Sequence, residues 1–147
     1  FASTTTVDDR PLTKLIGSDE LSIGDWEQMK LNVVQGGKRI IELRGRSSFQ
    51  SSAYLSVEMI AAAMGGKPFR WPVGVYVNDD RYHHVMMAME TTLDASGVHY
   101  RNVEGTKEEQ EALDSSYRHL CKLRDEVIAM GVLPPVADWH RLNHNID

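Results

Sequence analysis

The chain has a single cysteine, no long apolar run and no cluster of basic residues. Cys121 has no second cysteine to pair with, so an internal disulfide is excluded, which fits a reducing, cytoplasmic compartment. No apolar run is long enough to cross a membrane and no signal-peptide pattern occurs, so we expect no membrane role. The net charge is −5 and the Lys and Arg residues are scattered, so we expect no nucleic-acid partner either.

Glycines are sparse where a nucleotide-binding protein needs them. A dinucleotide site requires a Gly-rich turn between a strand and a helix, and neither Gly36-Gly37 nor Gly65-Gly66 fits that pattern. The chain therefore builds no dinucleotide site of its own. Its 147 residues, 41% apolar and 25% charged, are typical of one globular core, so we expect residues 1–147 to form a single domain.

The most informative stretch is a Ser-rich loop that leads into an apolar helix, between Gly45 and Gly66. Either Ser51 or Ser52 is a candidate helix cap, because a serine hydroxyl accepts from the free N–H groups of the first turn. A helix that is apolar on two faces is buried on more than one side. We therefore expect one face to contact the chain's own core and the other to contact something outside this sequence. The two faces are Ala53, Val57, Ile60 and Met64, and Leu55, Met59 and Ala62.

Two further helices are predicted on either side of the strands. The first extends from Asp25 to about Leu43 behind a cap at Ser22, and Gly36-Gly37 inside it favours a bend or a close approach by another helix. The second extends from Thr106 to Met130 and begins with a capping box.

Three strands are predicted in the second half of the chain, at residues 69–78, 85–93 and 98–103. The last two are joined by a hairpin at Asp94-Ala95-Ser96-Gly97. Helices on either side of consecutive strands predict an α+β fold, with an antiparallel sheet and helices packed on one face.

Several segments resemble the second half of lactate and malate dehydrogenases. The run from Ser51 to Val57 resembles the Ser-Ala-Thr-Leu-Ser-Met type segment of that family. The resemblance extends through residues 70–77, the hairpin at 94–97 and the helix at 106–130, whose first turn is acidic. Together these segments cover nearly the whole chain. Their order and spacing are most similar to those of bacterial malate dehydrogenases.

The resemblance implies the C-terminal domain of an NAD-dependent malate dehydrogenase, which interconverts malate and oxaloacetate by hydride transfer. It implies that three parts of the enzyme precede Phe1: the N-terminal NAD-binding domain, the Asp–His proton relay and the arginines that bind the substrate. The start at Phe1 suggests an excised fragment, which we expect to be inactive alone. The implied partners are the chain's own N-terminal domain and further copies of the enzyme, as a dimer or a dimer of dimers. The preference for malate over lactate depends on a residue upstream.

The same resemblance implies two contact regions on the apolar helix between Gly45 and Gly66. Ser52 matches a serine that lines the substrate pocket, where its hydroxyl donates to a dicarboxylate, and Ser51 is the second candidate. The alternative for Ser52 is a simple helix cap. Val57 matches a methionine that borders the nicotinamide, and its alternative is a plain core valine.

Histidines do not predict a metal site. Neighbouring residues on a strand point to opposite faces, so His83 and His84 are interpreted as solvated residues beside a turn. His140 and His144 are interpreted as surface residues.

Two other functions stay open for the chain. One is a stand-alone binding or oligomerisation module with the same fold, and the other is a domain of a lactate or other 2-hydroxy-acid dehydrogenase.

Overall fold

The computed structural model describes residues 1–143 and divides into two compact units. The first unit comprises residues 1–69 and 94–96, and the second comprises residues 70–93 and those from 97 onward. The expectation of a single domain stays a prediction.

The first unit begins with a short hairpin. A 3₁₀ turn, Ala2–Thr4, precedes strands β1 (Thr6–Val7) and β2 (Arg10–Pro11), which pair antiparallel. Asp8 and Asp9 both have positive φ, 48° and 62°, as the two central residues of a type I′ hairpin turn require. Helix α1 (Leu12–Leu15) follows and buries both of its leucines.

Helix α2 (Ile23–Arg44) has 22 residues and none of them is buried. Its predicted ends are confirmed, because Ser22 Oγ accepts from the N–H of Asp25 at 3.1 Å and Gly45 closes the helix at a φ of 68°. A Cβ added at Gly36 or Gly37 would have no described atom within 4 Å. Within residues 1–143, therefore, no other helix approaches these glycines closely. The exposed large apolar residues of α2 are Ile23, Met29, Leu31, Val33, Val34, Ile40, Ile41 and Leu43.

Helix α3 (Gln50–Ala63) begins two or three residues earlier than a cap at Ser51 or Ser52 would place it. Phe49 occupies the capping position and provides no side-chain hydrogen bond. The cap interpretation of Ser51 and Ser52 is therefore wrong, since both lie inside the first turn. Of the two apolar faces, the one with Met59 and Ala62 is the packed one, because Ala62 is the only buried residue of α3.

The second unit holds most of a three-stranded antiparallel sheet of order β3–β4–β5. The strands are β3 (Phe69–Val77), β4 (Val85–Asp94) and β5 (Gly97–Arg101), close to the predicted spans. The predicted hairpin between β4 and β5 is confirmed, and Gly97 has a φ of 123°, which favours glycine at that position.

Helix α4 (Lys107–Ala129) covers one face of the sheet, and a short helix α5 (Trp139–Leu142) follows it. The predicted capping box is present, with Thr106 and Glu109 bonding reciprocally, and Gly131 follows the helix end at a φ of 73°. The α+β prediction is confirmed. The core between sheet and helix contains Val75, Val77, Tyr82, Val85, Met87 and Met89, with Tyr100, Leu113, Tyr117 and Leu120 packed against it.

Candidate functional site

The loop between α2 and α3 is held at its base by a side-chain contact. Arg44, the last residue of α2, donates from Nη1 to Oε1 of Gln50, the first residue of α3, at 2.9 Å. Within the loop, the Arg46 guanidinium lies 4.9 Å from the centroid of the Phe49 ring. These two contacts fix how the chain enters α3. Neither was predicted from the sequence, although the Arg-Gly-Arg run before the serines is an identifiable signal.

The first turn of α3 presents free hydrogen-bond donors to solvent. The first intrahelical bond runs from the N–H of Ala53 to the carbonyl of Phe49, at 2.9 Å. The N–H groups of residues 50–52 precede it and point out of the helix end. Ser51 and Ser52 are exposed, and their hydroxyls make no hydrogen bond to residues 1–143. Donors at a helix N-terminus, where the dipole is positive, suit a carboxylate ligand.

Val57 lies on the exposed face of α3. Its side chain is 65% exposed, and its neighbours on that face, Ile60 and Met64, are exposed as well. Val57 is therefore not a core residue of this chain, and that alternative is wrong. An exposed apolar face of this kind is available to border a ligand or another protein surface.

A second cluster of polar groups lies around His84 in the second unit. His84 has a φ of 52° and its Nδ1 is 2.7 Å from the hydroxyl of Tyr76. Arg124 donates from Nη1 to the carbonyls of His83 at 3.2 Å and His84 at 2.9 Å. Burial, together with His140, Arg124 and His83 nearby, lowers the pKa of His84. His84 is half-buried and therefore less solvated than predicted, while His83 is exposed as predicted.

The described histidines do not assemble a metal site. No group of three or more His, Cys, Asp or Glu side chains among residues 1–143 is placed to hold a metal ion. His140 is exposed on α5, as predicted, and His144 lies outside the described residues.

The turn between β3 and β4 is fixed by one carboxylate, that of Asp79. Asp79 accepts from the backbone N–H groups of Arg81 and Tyr82 at 2.8 and 2.9 Å, and from the side chains of Tyr100 and Asn102 at 3.1 and 3.0 Å. Burial opposes ionisation of Asp79, but these four bonds outweigh it and keep the pKa below its ordinary value. This cluster stabilises the fold and lies apart in sequence from the α3 donors.

Solved structures with this fold include lactate and malate dehydrogenases. A lactate dehydrogenase from a Medee basin deep-sea metagenome library is 26% identical, with a TM-score of 0.74, over 84% of this chain and 40% of that one. Malate dehydrogenase from Aeropyrum pernix is 22% identical, with a TM-score of 0.73, over 86% and 41%. Malate dehydrogenase from Plasmodium falciparum in complex with NADH is 18% identical, with a TM-score of 0.79, over 88% and 43%.

The likeness covers most of this chain but less than half of each solved structure. The chain spans about two fifths of the length of these solved structures. No family model and no curated protein matches it. The chain therefore has the fold of a C-terminal-like domain of lactate and malate dehydrogenases.

Proposed function

We propose that this chain is the C-terminal, substrate-binding domain of an NAD-dependent malate dehydrogenase, which interconverts malate and oxaloacetate. The observation that carries the proposal is the start of α3. Residues 50–52 present backbone N–H groups and two serine hydroxyls without partners among the described residues, in a fold that solved 2-hydroxy-acid dehydrogenases share. A dicarboxylate needs such donors, and Ser52 is the residue that we assign to it, with Ser51 as the second candidate.

The chain's own part in the reaction is to bind and orient the substrate. NAD accepts the hydride, and an upstream histidine and aspartate take and stabilise the proton of the hydroxyl in this proposal. Among the described residues no Gly-rich turn links a strand to a helix. The exposed Val57 face is what this chain offers to the nicotinamide, and an N-terminal domain would hold the rest of NAD.

The exposed apolar faces of the first unit support a covering partner. All of α2, and the Val57 face of α3, expose large apolar side chains; Val33 and Val34 are each 81% exposed. Monomeric proteins rarely leave such surfaces uncovered. We assign them to the N-terminal domain and to a second copy of the enzyme, in a dimer or a dimer of dimers.

The location of the protein is also a proposal. Among residues 1–143, every helix is too short or too polar to span a membrane. The lone Cys121 fits a reducing compartment, so we place the enzyme in the cytoplasm.

A lactate dehydrogenase is the second candidate function. It is favoured by the deep-sea lactate dehydrogenase, which has the highest sequence identity of the three solved structures described above. The two functions differ in whether the substrate carries a second carboxylate. Measuring kcat/KM of the NAD-binding intact protein with oxaloacetate and with pyruvate separates them. A preference for pyruvate would overturn the malate assignment and leave the dehydrogenase assignment standing.

The role of Ser52 is tested by Ser52→Ala in that intact protein. A hydrogen bond to a charged group is worth about 1.5–3 kcal/mol, so we expect kcat/KM for oxaloacetate to fall about ten- to hundredfold. Because Ser52 is not a cap, the free energy of unfolding should change by less than about 0.5 kcal/mol. Ser56→Ala is the matched control, since Ser56 Oγ donates at 2.8 Å to the carbonyl of Ser52 within the helix. Equal kinetics for both variants would contradict the assignment.

The 147-residue chain alone is the second test. It lacks a dinucleotide site and the upstream proton relay, so we expect no NADH formation from malate and NAD above a blank. Turnover by pure chain, free of host enzymes, would show that the catalytic residues lie within it and would contradict the proposed division of labour.

A further inference from the structure

A cluster of rings attaches the C-terminal segment to the end of β3. The ring centroid of Trp139 lies 6.2 Å from that of Tyr76 and 6.3 Å from that of His84. The ring of His140 lies 6.1 Å from His84, nearly perpendicular to it. Trp139 also donates from Nε1 to the carbonyl of Pro134 at 2.8 Å, which folds the segment back on itself. We call residues 134–143 the C-terminal strap.

The strap lies away from the main core. Tyr76 alternates along β3 with the buried Val75 and Val77, so its ring lies on the opposite face of the strand. Trp139 is half-buried against it, while the following residues of α5 are exposed. Within the second unit, the rings of the strap therefore lie against Tyr76 and His84.

His84 is surrounded by groups that disfavour a positive charge. From α4, Arg124 reaches the His84 carbonyl; from α5, His140 faces the ring; and His83 precedes it in the same loop. Arg124 is ion-paired with Asp125 at 2.8 Å, but no described carboxylate pairs with His84 itself. The hydroxyl of Tyr76 bonds either form of the ring, since it can donate to or accept from Nδ1.

One contact acts in the other direction. An imidazolium gains some attraction from the face of an aromatic ring such as Trp139. Burial, and next His140, Arg124 and His83, oppose this attraction, and together they lower the pKa of His84, burial being the largest cause. The neutral ring is therefore the form that fits the docked strap.

We propose that the C-terminal strap is a pH-dependent clasp, which stays against Tyr76 and His84 while His84 is neutral and is released when that imidazole is protonated. Well above the ordinary histidine pKa of about 6.5, the ring is neutral whether the strap is docked or released. Release removes Trp139 and His140 from the ring but leaves Arg124 and His83 beside it, so the released state binds the proton more readily by the share that Trp139 and His140 contribute. Release therefore becomes progressively favoured as the pH falls. The effect is complete once the pH lies below the pKa of the docked ring.

The experiment uses Trp139 as the reporter. The chain has three tryptophans, so Trp26→Phe with Trp71→Phe leaves Trp139 alone. Its emission maximum and its quenching by acrylamide are measured from pH 8 to pH 5, with far-UV circular dichroism on the same samples. We expect a red shift and stronger quenching below pH 6.5, with the steepness of one proton and unchanged helical signal. No change in emission, or a change that coincides with loss of the helical signal, would overturn the proposal.

The control is His84→Gln in the same background. Glutamine keeps a hydrogen-bonding group near Tyr76 but does not titrate, so the red shift should disappear. The same transition in this variant would overturn the proposal. If the variant does not fold, the parent decides: the NMR titration midpoint of the His84 ring must coincide with the fluorescence midpoint, and separate midpoints would overturn the clasp.

Discussion

The hydroxyl of Tyr82 donates to Oδ1 of Asp114 at 2.8 Å and thereby joins the turn after β3 to α4. Tyr82 is 1% exposed, and its ring packs at a tilt against that of Tyr117, with centroids 5.0 Å apart. Arg81 donates to the same oxygen at 3.0 Å. Burial, and next the bond to Asp114, raise the pKa of Tyr82 to about 12. The side chain of Tyr82 therefore packs its ring in the core of the second unit and places its hydroxyl on a surface carboxylate.

Replacing Tyr82 by phenylalanine should destabilise the chain. The ring keeps its packing, but the hydrogen bond is lost, so we expect the free energy of unfolding to fall by about 1 kcal/mol. Urea denaturation measures it. Tyr54→Phe is the matched control, because Tyr54 also donates to a carboxylate, that of Glu58 at 2.8 Å, but is exposed. An equal loss in both variants would mean that burial of Tyr82 adds nothing to its bond.

Acid should destabilise the chain through Asp79. Its pKa is lower folded than unfolded, because its hydrogen bonds outweigh burial, so the ionised form stabilises the fold. This contribution is fully present above the unfolded pKa, near 3.9, and is lost as the pH falls through the lower folded value. Unfolding free energies from pH 6 to pH 2.5 should therefore decline less steeply in Asp79→Asn than in the parent. Parallel slopes would show that Asp79 does not contribute.

Gly36→Ala should stabilise the 147-residue chain while weakening its assembly. A Cβ at Gly36 meets no described atom within 4 Å, so alanine gains up to about 1 kcal/mol of helix propensity. Gly66→Ala should instead destabilise the chain, because its Cβ would lie 2.8 Å from the carbonyl oxygen of Ala61. Thermal unfolding compares the two. If the intact protein assembles equally well with Gly36→Ala, no partner approaches that glycine.

The chain should self-associate in solution. Helix α2 and the Val57 face of α3 expose many large apolar side chains, so light scattering coupled to size exclusion should give a mass above that of one chain at about micromolar concentration. Met64→Lys places a charge on this face, 83% exposed at that position, and should lower the mass and raise solubility. A monomeric mass with equal solubility of both proteins would mean that these faces need no cover.

The elements that the sequence predicted are those whose signals are local. The box of Thr106 and Glu109 and the stop at Gly131 involve residues within one turn of the helix ends, so neither depends on tertiary contacts. The start of α3 was misplaced because Phe49 adopts a helical backbone, which draws both serines into the helix. No local pattern signals that.

The site was less predictable because periodicity identifies faces but not their neighbours. The pattern gave α3 two apolar faces, and which of them packs depends on chain distant in sequence. His84 shows the same limit: its left-handed backbone and its contact with Trp139 join residues more than fifty positions apart. The roles of Ser52 and Val57 stay predictions, supported by exposure and by the absence of a competing contact among the described residues.

Helix α2 has one more consequence, for how the chain opens. With no fully buried side chain, α2 depends more on its own hydrogen bonds and caps than α4 does, because α4 packs Leu113, Tyr117 and Leu120 on a core. Local opening of α2 therefore costs less free energy than opening of α4, and its amide hydrogens exchange with solvent sooner. Whatever covers α2 slows that exchange, so the protection of its amides is a direct measure of how fully this chain is assembled.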